Sequence, residues 1–80
     1  METFNKSGVE IIRQAGAKKG LRTDRQIAKA IGISYQTFSR KINGHADFTL
    51  KEIGSLRDQL DLSRNQIYLI FFASENEKNS

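Results

Sequence analysis

Residues 23–44, TDRQIAKAIGISYQTFSRKING, restrict the fold more than any other part of the chain. Thr23 followed three residues later by Gln26 is a capping box, in which side chain and backbone satisfy each other's first-turn groups. Ile27, Ala28 and Ile31 recur at helical spacing, with Arg25 and Lys29 off the stripe. Gly32 stops that helix, because glycine enters the left-handed region without a Cβ clash. Ile33 turns back to the core, and Ser34 is placed to N-cap a second helix at once. Phe38 and Ile42 anchor this second helix at i and i+4, and Asn43-Gly44 ends it.

Two helices joined by so short a turn cross steeply, and their backbones approach closely only where side chains are small. Ala28, four residues before Gly32, meets that need. A plain αα-hairpin would also require caps and an apolar stripe. It would not require Ala, Gly, an Ile after the Gly and a polar outer face at these spacings. The pattern is that of a helix-turn-helix, whose second helix can enter a DNA major groove.

The remainder of the chain extends this to an all-α bundle of about five helices in one domain, 1–73, with a polar tail over 74–80 expected to be disordered. Proline is absent and strand signals are missing. A first helix is expected over about Ser7–Lys19, with Val9, Ile12 and Ala15 inward and Glu10, Arg13 and Lys18 outward. Gly8 and Gly16 each weaken it by about 1 kcal/mol relative to alanine, so packing must hold it. After a polar loop and an apolar anchor, Phe48, Thr49 and Glu52 form a second capping box. The helix it opens buries Leu50, Ile53, Leu56 and Leu60 and exposes Lys51, Glu52, Arg57 and Asp58. Ser63 and Gln66 open the last helix, which ends at about Phe72 or Ala73. That helix is apolar nearly all round: Ile67, Ile70 and Phe71 are expected in the core, and Tyr68, Leu69 and Phe72 in a dimer contact. The bland alternative is that its own domain encloses it.

No cysteine is present, so neither a disulfide nor a thiolate metal site can staple a core this small. No apolar run approaches the roughly 20 residues of a membrane span, and no signal peptide is recognised, so no membrane partner and a cytoplasmic location are expected. The net charge of +4 is unevenly placed. Residues 1–46 hold nine Lys and Arg against three acids, and residues 47–80 hold four against six. The positive half contains the two-helix motif, and phosphate backbones attract such a field. His45 is the single histidine; no carboxylate pair, phosphate-cradling loop, metal-ligand spacing or cofactor motif accompanies it, so no catalytic residue is assigned.

At about 100° per residue, Gln36 and Arg40 fall opposite Phe38 and Ile42, flanked by Thr37, Ser39 and Asn43. Gln can pair with adenine N6 and N7, and Arg with guanine O6 and N7, each in bidentate fashion. Tyr35 can touch a thymine methyl, touch a phosphate or simply pack. Arg22, Arg25, Lys41, Asn43 and the amides around Gly44 are the candidate phosphate contacts, with Lys18, Lys19 and Lys29 adding longer-range charge.

From about Gly20 to Phe72 the chain resembles the phage Cro- and CI-type repressors, the lambda-repressor-like or XRE group of helix-turn-helix proteins. The likeness is strongest in IAKAIGIS, the helix and NG after it, and the leucine-spaced helix beyond. It implies a five-helix domain that binds operator DNA as a two-fold dimer, with readers at Tyr35, Gln36, Ser39 and Arg40 and a phosphate contact at Asn43. Two positions depart from it. Asp24 stands where the group often has a phosphate-binding Gln. Lys41 stands where it prefers an apolar residue, with Ile42 packing one place later, which implies a slightly rotated third helix. The length fits a Cro-like regulator, a restriction-modification controller or a small antitoxin.

The sequence therefore favours a transcriptional regulator that binds a palindromic operator as a homodimer, with half-sites about one helical turn apart. The competing function is a protein-binding module, such as an antitoxin or antirepressor, working through the apolar last helix.

Overall fold

The computed structural model describes residues 6–72. Five helices run in order: α1 (Lys6–Lys18), α2 (Asp24–Ile31), α3 (Tyr35–Ile42), α4 (Leu50–Leu60) and α5 (Arg64–Phe71). The described residues contain no strand, and none of their helices is long and apolar enough to cross a membrane. The proposed tail, 74–80, lies outside the described residues, as does Ala73.

The caps form where the sequence places them. Thr23–Gln26, Thr49–Glu52 and Ser63–Gln66 are complete capping boxes, and the Ser34 side chain accepts from the Thr37 amide. Gly32 takes φ 82°, and the Ile33 amide donates back to the Ala28 carbonyl at 3.0 Å. That bond closes α2 and turns the chain into α3 within three residues. Asp61 does the same for α4 at φ 55°, a left-handed cap without glycine.

The core is Ile12 and Ala15 from α1, Ile27, Ala28 and Ile31 from α2, Phe38 and Ile42 from α3, Leu56 and Leu60 from α4, Leu62, and Ile70 from α5. Val9, Ile33, Phe48, Ile67 and Phe71 are partly buried against it. Phe48 lies edge-on between two rings, 6.0 Å from Phe38 and 5.8 Å from Phe71. This is a favoured aromatic arrangement, and it ties the 43–49 loop to both α3 and α5.

Two expectations for α4 fail together. Leu50 is 86% exposed, whereas Glu52 is half-buried. Relative to Leu56 and Leu60, Leu50 lies roughly a quarter-turn outside the stripe on one side and Glu52 flanks it on the other. The buried face is thus rotated toward the acid, which has a partner there.

The glycines of α1 carry a use that propensity hides. A Cβ on Gly8 would lie 3.1 Å from the Ile70 carbonyl oxygen, and one on Gly16 would lie 2.9 Å from both the Leu21 carbonyl oxygen and Ile27 Cδ1. Close seating of α1 on α5 and α2 offsets the helix propensity that these residues forgo.

Candidate nucleic-acid interface

The geometry begins with α3. Phe38 is fully buried and Ile42 nearly so, which fixes one side of the helix in the core. Gln36 and Arg40 are exposed on the other side, one turn apart. Among the described residues neither side chain makes a hydrogen bond or ion pair. The pair therefore presents an amide and a guanidinium from a helix whose inner face is locked.

The flanking residues are less available. Thr37 is half-buried, and its hydroxyl oxygen accepts from Ser34 Oγ at 2.9 Å, so it belongs to the N-cap. Ser39 is half-buried; its carbonyl accepts from Asn43 Nδ2 at 2.8 Å and its hydroxyl from the same nitrogen at 3.3 Å. Asn43 thereby closes the C-terminal turn of α3 with the amide nitrogen expected to reach a phosphate. The backbone amides beside it are engaged as well: Asn43 to Ser39 O, Gly44 to Lys41 O and His45 to Arg40 O. In this arrangement, the donors around Gly44 serve the helix end.

Tyr35 is half-buried, and the Arg25 guanidinium sits 4.3 Å above its ring centroid. Such a stack across the turn is worth about 0.5–1 kcal/mol at an exposed site. It orients the cation of α2 and the aromatic ring of α3 together. Arg22 is exposed; its backbone amide donates to Gln26 Oε1 at 2.7 Å, within the α2 capping box. Lys29 is also exposed.

Two ion pairs alter the sequence reading, and each joins residues eleven apart. Arg13, outward on α1 as expected, also holds Asp24 through two bonds, Nε to Oδ1 at 3.2 Å and Nη2 to Oδ2 at 2.9 Å. The hydrogen bond raises the Arg13 pKa, more than burial lowers it. The acid at the start of α2 thus has its own counter-charge. Lys41 Nζ donates to Glu52 Oε1 at 2.6 Å, with the two side chains 12% and 14% exposed. The ammonium assigned to DNA phosphate is committed to α4, and Glu52, assigned to solvent, is its partner. Burial pushes the Glu52 carboxyl up, but the Lys41 ammonium and the Thr49 amide outweigh that and hold it below the usual carboxylate range.

A second surface lies on α5. Ile70 is buried, and Ile67 and Phe71 pack partly against the core as expected. Tyr68, Leu69 and Phe72 are 39%, 39% and 47% exposed. Phe72 also borders a shallow cleft with Leu50, Ile53 and Phe71.

Comparison with known proteins returned no match to a family model, a curated sequence or a solved structure.

Proposed function

We propose that the protein is a sequence-specific DNA-binding regulator of the lambda-repressor-like kind, using α3 as the helix that enters the major groove. The observation that carries this reading is the exposure of Gln36 and Arg40, side by side and without partners among the described residues, on a helix anchored by Phe38 and Ile42. Gln36 would pair with adenine and Arg40 with guanine, each pair discriminating by about 1–3 kcal/mol. Tyr35, steadied by Arg25, borders this face; Thr37 and Ser39 support it through the helix ends. Arg22, Arg25 and Lys29 supply the attraction to phosphate, and Arg13 offsets the charge of Asp24 that would otherwise oppose it. Tyr68, Leu69 and Phe72 would join two copies, so that two α3 helices meet successive major grooves of a palindromic operator.

The decisive experiment is selection of duplexes from a random oligonucleotide pool by the purified protein. Enrichment of a palindromic motif, with binding that weakens steeply as salt rises, supports the regulator. Retention of random sequences alone would overturn it. One observation favours a second reading: the exposed apolar row of α5 also suits a module whose main partner is another protein, such as an antitoxin. Co-purification of a stoichiometric protein, together with failure to enrich any DNA, would select that reading.

A further inference from the structure

The orientation of α3 is settled by few contacts. It is eight residues long, packs chiefly on α2, and turns two apolar side chains into the core. Among the described residues its one polar tie to α4 is Lys41 Nζ on Glu52 Oε1. That same oxygen accepts the Thr49 amide at 2.9 Å, closing the capping box of α4. A single carboxylate oxygen therefore joins the first turn of one helix to the last turn of the other. Lys41 directly follows Arg40, so the tie acts next to a base-reading candidate. Both partners are mostly shielded from water, which strengthens the attraction and fixes its geometry.

We infer that Lys41 and Glu52 are positioning residues, a clamp that sets the rotation of α3 about its Phe38–Ile42 anchor and thereby tunes discrimination between DNA sequences. This rests on the reading of α3 as the DNA-entering helix. A clamp differs from a surface acid in the sign of one result. Glu52→Gln removes a negative charge, so a protein in which Glu52 merely contributes to the field would bind every duplex more tightly. Gln also keeps the cap, as Gln26 and Gln66 do in the boxes of α2 and α5. What it removes is the counter-charge of Lys41.

The test uses the full chain and two probes: the duplex enriched by the wild-type protein from a random pool, and a scrambled duplex of equal length and composition. The readout is the ratio of the two affinities. Loss of folded protein weakens both alike and leaves that ratio unchanged, so the ratio separates positioning from stability. With the charge pair removed by Glu52→Gln or Lys41→Met, the ratio is expected to fall about tenfold, on the order of the discrimination one bidentate base contact supplies. The double variant should be no worse than either single one. A wild-type preference that survives intact in Glu52→Gln, with tighter binding to both probes, overturns the clamp and leaves the DNA reading standing. A wild-type protein that prefers neither probe overturns the DNA reading, and the clamp with it. Should circular dichroism show Glu52→Gln unfolded at the assay temperature, the ratio for Lys41→Met decides: a fall supports the clamp and an unchanged ratio overturns it.

Discussion

α3 and α5 are built alike and finished differently. Each is eight residues long, each starts from a serine cap, and each turns apolar side chains into the same core. α3 shows water an amide and a guanidinium, Gln36 and Arg40; α5 shows it Tyr68, Leu69 and Phe72. The inner halves are interchangeable in kind, since hydrophobic burial is non-directional. The outer halves are not, because a polar face remains comfortable in water and an apolar one gains by leaving it. The inner faces thus account for the fold and leave the outer faces to the partners proposed above, so the two sides of each helix should respond to different measurements.

The largest effects should come from making the two helices fail in the same way. Phe38→Ala is expected to cost about 3–5 kcal/mol and Ile70→Ala about 2–5 kcal/mol, a large share of what a small domain has. Denaturant midpoints at unchanged slope are the check. Near-equality of the two would confirm that both inner faces serve one core; a mild loss at either would break the parallel.

Substitutions on the outer faces should separate the helices. Arg40→Ala should lose about 1–3 kcal/mol of binding to the selected duplex with little change in thermal midpoint. Phe72→Ala should weaken self-association measured by sedimentation and leave binding of a single half-site largely as it was. If the two substitutions exchanged outcomes, the assignment of polar face to DNA and apolar face to a second copy would be reversed.

The smallest effect concerns acid. The Glu52 carboxyl lies below its ordinary value in the folded protein, so its contribution to stability is complete above the ordinary carboxylate range. It is lost as pH falls through the depressed value. Glu52→Gln should flatten that part of the stability profile. An unaltered acid limb, followed by chemical denaturation across pH, would show that the Lys41 pair contributes nothing to folding.

The helices and most of the core were legible because their signals are local. A Thr with Gln or Glu three residues on, a Gly at a helix end, and Ile27, Ala28 and Ile31 on one stripe need no knowledge of the rest of the chain. The errors arise where two helices meet. The register of α4 put Leu50 in and Glu52 out, but the partner that draws Glu52 inward, Lys41, lies eleven residues back. Arg13 is outward as its helical position implies, but its pairing with Asp24, also eleven residues away, is not legible because nothing near either residue marks the other. Asn43 and Thr37 have internal hydrogen bonds that their residue types do not announce. Their polar groups suit DNA equally well, and only the folded backbone reveals that helix ends already use them. Gly8 and Gly16 read as losses of propensity, whereas their neighbours make them points of contact.

Phe48 has a consequence that reaches both outer surfaces. Its ring stands edge-on to Phe38 on one side and to Phe71 on the other, although it belongs to neither helix. It works as a shared hinge pin: a change of size or tilt at this one position would be passed to α3 and to α5 at once. Substitution on either helix is then constrained by the other, through a residue that lies in neither.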